Sequence, residues 1–252
     1  MNAFSLKDKV AIITGSSKGI GQGMAEIFSS YGAKVVVSSR KQEAVDEVVK
    51  GINNKGGESI GIAANAGKAE DLKSLVDQTL SHFGRIDILV NNAATNPVFG
   101  PMVNTDADTF DHIMNVNLKG PFELSKMVLP SMAEQGGGSI INISSIGGLT
   151  PEPMLGIYSV SKAALISLTK AMAKEVGSAG VRVNAICPGL IKTKFSEALW
   201  SNEEMTAKFI KRLPISRIGT SDDIAGLALF LASDASTYST GGVFTADGGY
   251  TI

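Results

Sequence analysis

The 252-residue sequence predicts an α/β fold: one doubly wound domain on a seven-stranded parallel sheet, with helices on both faces. Three observations carry this expectation. Seven short β-branched runs are continuous rather than alternating, as in strands covered on both faces. Between them lie segments of helical length whose apolar residues recur at helical spacing, and a βαβα alternation implies right-handed crossovers. No Pro/Gly/Ser-rich linker, internal repeat or low-complexity tract divides the chain, and 44% hydrophobic against 19% charged residues suffices for one sizeable core.

The first run, VAIIT (10–14), leads directly into Gly15-Ser16-Ser17-Lys18-Gly19-Ile20-Gly21, and MAEIFSSYG then reads as a helix. Strand, glycine turn and helix form the context of a dinucleotide site. Gly15 permits the tight turn, Gly19 lets backbone approach a pyrophosphate and Gly21 allows close packing, while the helix N–H groups face the anion. The second run, KVVVS (34–38), ends at Ser38-Ser39-Arg40. An NAD site usually offers a carboxylate there for the ribose 2′-OH. A guanidinium in its place, with Lys18 in the glycine turn as a second cation, favours a 2′-phosphate and hence NADP(H) over NAD(H).

SIGIA (59–63) supplies the third strand, and Leu72, Leu75, Val76 and Leu80 before Gly84 mark the helix after it. IDILV (86–90) is the fourth strand, followed by a long helix from about Thr109 to Ala133. That helix carries Asn115-Val116-Asn117-Leu118, where a polar group amid apolar neighbours is expected of a side chain or backbone kink that holds water. On residue type alone Asn115 and Asn117 compete for this role. After the fifth strand, SIINI (139–143), Ser145 falls at the carboxyl end of the sheet, the edge where open α/β proteins bind ligands. Tyr158 and Lys162, four apart at the start of a helix running to about Val176, project from one face. An ammonium beside a phenol favours the ionised form and would lower its ordinary pKa of about 10 towards the physiological range. Such a tyrosine serves as general acid in reduction and general base in oxidation. VRVNAIC (181–187) and VFTA (243–246) complete the strands. Between the sixth strand and a helix beginning near Thr220, residues 190–214 carry Phe195, Leu199, Trp200, Met205 and Phe209 at roughly helical spacing, as expected of one or two short helices forming a lid.

Composition excludes several classes. A net charge of -1 and no basic run interleaved with aromatics argue against nucleic acid. Cys187 is the only cysteine and His82 and His112 are scattered, so neither a disulfide nor a metal site is expected. No apolar run approaches the roughly 18 residues of a membrane span, the N-terminus lacks a signal-peptide core, and the C-terminal residues are not a peroxisomal address, all of which points to the cytoplasm. The sequon Asn142-Ile143-Ser144 is incidental without a secretory signal. Two catalytic strings are decoys. Gly15-Ser16-Ser17-Lys18-Gly19 matches the hydrolase G-x-S-x-G, but the last histidine is His112, so no late base completes a triad. Ser159-Val160-Ser161-Lys162 matches S-x-x-K without its companion K-T-G.

Taken together, these motifs resemble the short-chain dehydrogenase/reductases along the whole chain, from TGSSKGIG to the terminal ADGG. The resemblance implies a Rossmann fold and a catalytic tetrad of Asn117, Ser145, Tyr158 and Lys162, favouring Asn117 over Asn115. It implies cofactor contacts at Gly15, Ser17, Lys18, Gly19, Ile20, Gly21, Ser39 and Arg40, at Asn65 and Ala66, and at Asn91 and Ala93 of the NNAG-like Asn91-Asn92-Ala93-Ala94. Further contacts fall on Pro188, Gly189, Ile191 and Thr193, with Tyr158 and Lys162 also reaching the cofactor. Two positions depart from the pattern: Ala94 replaces the last glycine of that string, and Asn65 stands where an aspartate is common. The implied enzyme is an NADP(H)-dependent carbonyl reductase or alcohol dehydrogenase, a homotetramer with its two long helices at the dimer contacts. Ile146, Met154, Leu155, Phe195, Leu199 and Trp200 suggest an apolar pocket for a lipophilic ketone, aldehyde or secondary alcohol. The alternatives are a 3-oxoacyl thioester reductase, an NAD-dependent alcohol dehydrogenase, or a catalytically silent NADP-binding protein.

Overall fold

A computed structural model describes residues 3–201 and 203–252, without the side chains of Ala198 and Met205. Met205, one of the apolar residues expected in the lid, therefore lies outside what is described at the side-chain level. Seven strands form one parallel sheet: β1 (Val10–Thr14), β2 (Lys34–Ser39), β3 (Glu58–Ala63), β4 (Ile88–Asn91), β5 (Gly138–Ile143), β6 (Val181–Pro188) and β7 (Val243–Ala246). Their order in space is β3-β2-β1-β4-β5-β6-β7. The order reverses between β1 and β4, so the chain leaves the β1 end towards one side of the sheet and the β4 end towards the other. This leaves a crevice at their carboxyl ends.

Each face is covered by helices that carry an apolar stripe. On one, α1 (Gly19–Ser30), α2 (Gln42–Asn54) and α9 (Ser221–Ala232) bury Met24, Phe28, Val45, Ile52, Ile224 and Leu229. On the other, α3 (Ala69–Phe83), α5 (Gly120–Glu134) and α6 (Gly156–Val176) bury Leu72, Leu75, Leu124, Val128, Met132 and Met172. A left-handed Gly84 ends α3, as a helix C-terminus favours, and Thr220 with Asp223 forms a capping box at the start of α9.

The long helix expected over 109–133 is interrupted. α4 (Ala107–Met114) gives way to a π-helical stretch, Asn115–Lys119, before α5 begins. Asn115 and Asn117, two apart and so about 200° apart around a helix, point to different parts of the cleft. Residues 190–214 hold two short helices, α7 (Glu197–Trp200) and α8 (Glu203–Ile210).

Candidate active site

The glycine turn is built from backbone contacts. Gly15 and Gly19 adopt positive φ of 64° and 60°, and a Cβ on Gly21 would stand 2.5 Å from the Gly15 carbonyl oxygen. Ser16 welds the turn to β2: its N–H donates to Ser38 O at 3.0 Å, and its hydroxyl accepts from Ser38 N at 2.9 Å while donating to Ile13 O at 2.6 Å. Asn92 fastens it to β4, with Nδ2 donating to Thr14 O and Gly15 O at 2.8 and 3.1 Å. The Thr14 hydroxyl accepts from the N–H groups of Asn92 and Ala93, both at 3.0 Å. Ile20 packs against the core and Ser17 is half-buried.

This arrangement fits a dinucleotide. α1 starts without a side-chain cap and without an acidic residue in its first turn, so its leading N–H groups are available to an anion. Across the turn stands Thr193, whose methyl lies 3.2 Å from where a Gly19 Cβ would be, so only glycine leaves clearance between them. At the end of β2, Ser39 pairs with Ala63. Arg40 beyond it is exposed, as is Lys18, and neither has a carboxylate partner among the described residues. Asn65 and Ala66 follow β3: Asn65 Oδ1 accepts from Gly67 N at 3.0 Å, and Asn115 Nδ2 holds the same loop through Gly67 O at 2.8 Å. Thus Asn115 serves the loop after β3.

Asn117 faces the opposite way and is fully buried. Its amide pairs with Thr95 in both directions, Oδ1 accepting from Thr95 N at 2.8 Å and Nδ2 donating to Thr95 O at 2.9 Å. Nδ2 also reaches the Ser161 hydroxyl at 3.1 Å, which in turn donates to Tyr158 O at 2.7 Å. The Asn117 side chain is thus engaged by the loop after β4 and by α6, and the residue lies in the π-helical break of the long helix.

Ser145, Tyr158 and Lys162 come together at the carboxyl end of β5. Ser145 caps a short turn, Ile146–Gly148, by accepting from Gly147 N at 3.0 Å, and its hydroxyl lies close enough to the Tyr158 phenol to favour the ionised form. The turn lies against α6 so closely that a Cβ on Gly148 would meet the Lys162 carbonyl carbon at 2.8 Å. Ser144 ties the same junction through Lys162 O at 2.8 Å. Lys162 is buried, with Nζ donating to Ile143 O at 2.7 Å and standing 5.7 Å from the Tyr158 ring centroid.

The expected acidification of the phenol is absent in the chain alone. Burial pushes Tyr158 up to about 12, only partly offset by the Ser145 hydroxyl. Burial likewise brings Lys162 down to about 8. Desolvation sets the direction for both groups, because each charged form loses water on burial. The buried Cys187 thiol close by is itself raised by burial.

Other expected site residues divide into two sets. Phe195 is 54% exposed with its ring centroid 6.1 Å from that of Tyr158. Met154 and Leu155 line a small crevice with Tyr158, joined by Asn96 and Val98, which sequence reading did not single out. Ile146 is buried in the turn after Ser145, Leu199 is half-buried in α7, and Gly189 lies against Asp247, following Pro188 at the end of β6.

Two residues, Asn91 and Trp200, are placed differently from expectation, and a third, Ile191, can reach the cleft only by its backbone. The Asn91 side chain is buried away from the glycine turn, donating to Asn142 Oδ1 at 2.9 Å and Ser125 Oγ at 3.1 Å, and the residue that reaches the turn is Asn92. Ile191 has its side chain in the core, which leaves only its backbone to the cleft. The Trp200 indole turns inward, donating to Thr193 O at 3.0 Å with Lys192 Nζ 5.3 Å from its ring, so it braces its own segment rather than lining a pocket. Strand alternation and side-chain hydrogen bonding decide these placements, and neither is visible in the motif strings.

Comparison with known proteins agrees with this geometry. A family model described as enoyl-(acyl carrier protein) reductase matches residues 15–251. The pig protein named dehydrogenase/reductase SDR family member 4 is 43% identical over 244 residues, covering 97% of this chain and 88% of its own. The Caenorhabditis elegans protein of the same name is 41% identical over 252 residues, covering 98% and 97%. Among solved structures, a 7α-hydroxysteroid dehydrogenase complexed with NADH and 7-oxo glycochenodeoxycholic acid superposes with a TM-score of 0.95 at 35% identity, covering 98% of this chain and 96% of that one. A Burkholderia cenocepacia gluconate 5-dehydrogenase in complex with NADP and tartrate gives 0.95 at 31%, covering 99% and 98%.

Proposed function

Because the chain belongs to the short-chain dehydrogenase/reductase family and is therefore an oxidoreductase that uses a nicotinamide cofactor, we propose that it is an NADP(H)-dependent carbonyl reductase or alcohol dehydrogenase acting on a lipophilic ketone, aldehyde or secondary alcohol. The observation that carries this reading is the meeting of Ser145, Tyr158 and Lys162 at the carboxyl end of β5, beside the glycine turn's crevice.

A bound nicotinamide supplies the hydride in reduction and accepts it in oxidation. Ser145 and Tyr158 hold the substrate oxygen through their hydroxyls, and Tyr158 gives its phenolic proton to that oxygen as the alkoxide forms. A phenol near 12 is fully protonated at neutral pH, the form reduction needs. Lys162 holds its ammonium beneath the ring and favours the phenolate left after transfer. Asn117, through Ser161, fixes the turn of α6 that carries the tyrosine. Arg40 and Lys18, both without carboxylate partners among the described residues, supply charge for a 2′-phosphate. The backbone of Ile191 and the side chain of Thr193 border the nicotinamide end, and residues 190–214 act as a lid whose Phe195 covers the apolar pocket.

The same reading extends to assembly and location. The outer faces of α4, α5 and α6 form an open groove lined by Met114, Leu118, Phe122, Leu168 and Ala171, which supports a homotetramer built on these helices. Among the described residues no helix is long and apolar enough to cross a membrane, consistent with the cytoplasmic placement proposed from the sequence. The test is a panel of lipophilic ketones, aldehydes and 3-oxoacyl thioesters scored with NADPH and NADH. We expect at least about a tenfold preference in kcat/KM for NADPH, the factor one charge-assisted contact provides. Equal or better turnover with NADH would assign the chain to the NAD-dependent reading, and consumption only with thioesters would change the substrate class.

A further inference from the structure

The C-terminal residues meet both sides of the cleft entrance. The Tyr250 hydroxyl donates to Glu152 Oε1 at 2.7 Å, and its ring stacks on Phe209 of α8 with centroids 4.8 Å apart and planes inclined by 21°. The Arg212 guanidinium lies 4.7 Å from the same ring. The segment that presents Tyr250 is itself fixed: Asp247 accepts from the N–H groups of Gly249 and Thr251, both at 2.9 Å, and from the Thr251 hydroxyl at 2.7 Å. The Ile215 N–H, just beyond α8, donates to Gly248 O at 3.0 Å.

Glu152 sits on the loop that leads into α6. Its carbonyl accepts from Leu155 N at 3.3 Å, and Leu155 O accepts from Ser159 N at 2.8 Å, beside Tyr158. Between them Met154 takes φ of 72°, a conformation that L side chains rarely adopt, and its carbonyl accepts from Gly100 N at 3.0 Å. At the opposite end of the lid, Phe195 packs near Tyr158. The contacts form a closed ring around the entrance: Tyr158 to Phe195, through α7 and α8 to Phe209, then Tyr250, Glu152, Leu155 and back to α6. Tyr250 is the member of this ring that lies in neither wall, and its hydroxyl makes the polar link between them.

We propose that Tyr250 is a positioning residue that holds α8 against the Glu152 loop and so sets how bulky a carbonyl compound reaches Tyr158. The substrate half of this inference rests on the reductase reading above, whereas the structural half is measurable without turnover. The experiment compares hydrogen exchange of the full-length protein with that of Tyr250→Phe, Glu152→Ala and Glu152→Gln. Tyr250→Phe keeps the ring stack and removes only the donor, and Glu152→Gln keeps an amide oxygen that still accepts from the phenol.

Exchange across Glu203–Ile210 is expected to quicken about fivefold in Tyr250→Phe and in Glu152→Ala, the factor that loss of one net hydrogen bond of about 1 kcal/mol gives. In Glu152→Gln it stays within about twofold of wild type, and combining Tyr250→Phe with Glu152→Ala adds nothing. KM for a bulky ketone shifts about threefold in the two fast-exchanging variants, with kcat and the cofactor KM within about twofold and KM for a small ketone unchanged. Wild-type exchange in all variants would overturn the proposal, as would acceleration spread over β1 and β4, which would mark a general stability role. Faster α8 exchange with an unchanged bulky-ketone KM would overturn the specificity role. If wild type reduces no carbonyl, the reductase reading fails while the exchange comparison still decides whether Tyr250 fastens the lid.

Discussion

The two sides of the cleft are held by different kinds of contact. On the glycine-turn side, Ser16, Thr14 and Asn92 bond almost entirely to main-chain atoms of β1, β2, β4 and the residues that follow them, and a Cβ on Gly15 or Gly21 would meet backbone and the Asn92 amide that is itself bonded to backbone. On the substrate side, closure depends on side chains meeting across long stretches of sequence: Phe195 with Tyr158, Phe209 with Tyr250, and Tyr250 with Glu152 98 residues earlier. A backbone-built cradle suits a ligand that is the same in every turnover, since it has few alternative arrangements. A side-chain-built wall can change its shape with single substitutions, which suits a variable substrate.

The strongest way to break this contrast is Gly21→Ala. Its Cβ would meet the Gly15 carbonyl oxygen at 2.5 Å and the Asn92 amide, itself bonded to Thr14 O and Gly15 O, at 2.6 Å, so the turn must shift, at a cost of about 1–3 kcal/mol. The expected outcome is NADPH affinity reduced at least about tenfold in a fluorescence titration, together with a lower melting temperature; unchanged affinity would show that the cradle is adaptable after all.

At the seam between the sides, Lys162 places an ammonium where burial disfavours it, the folded pKa of about 8 lying below its ordinary 10.5. The unfolded chain binds the proton more tightly, so the penalty is fully present below pH 8 and fades as pH rises towards 10.5. Tyr158 has the opposite sign: with its pKa raised from 10 to about 12, its contribution is intact below pH 10 and is lost towards pH 12. Lys162→Met is therefore expected to melt a few degrees higher than wild type at pH 7, at about 2–4 °C per kcal/mol, and to lose that margin near pH 10. A lower melting temperature at pH 7 would mean that the bond to Ile143 O outweighs desolvation.

The smallest effect sharpens the contrast from the other side. Phe195→Ala removes a half-exposed ring above Tyr158, and KM for a bulky ketone should change only about threefold, with NADPH affinity and thermal stability unaltered. A tenfold fall in cofactor affinity would place Phe195 in the cofactor's cradle instead.

Legibility in the sequence follows the same division. All seven strands and the glycine turn coincide closely with their β-branched runs and glycine spacing, because local periodicity and backbone clearance leave local signatures. Ser145, Tyr158 and Lys162 were legible because each sits at the end of such an element. The π-helical stretch was not, since one extra residue in a turn hardly alters an apolar pattern; nor were the contacts of Asn115 with Gly67 and Asn117 with Thr95, whose partners lie on loops distant in sequence. Neighbours such as Asn91 and Asn92 point to opposite faces at a strand end, so a shift of one residue exchanges the buried partner of Asn142 with the brace of the turn. A cation near the phenol is visible in the sequence, whereas the burial that pushes the phenol up and the ammonium down in the chain alone is not. Nothing local marks Tyr250 or Glu152 as partners.

The most direct test of the chemistry is Tyr158→Phe, assayed for NADPH binding and carbonyl reduction on the same preparation. With the ring retained and only the proton donor removed, NADPH should bind within about twofold of wild type while turnover falls at least about a hundredfold, the lower range for loss of a general acid. Reduction at the wild-type rate by that variant would contradict the assignment of Tyr158 as the group that protonates the substrate oxygen.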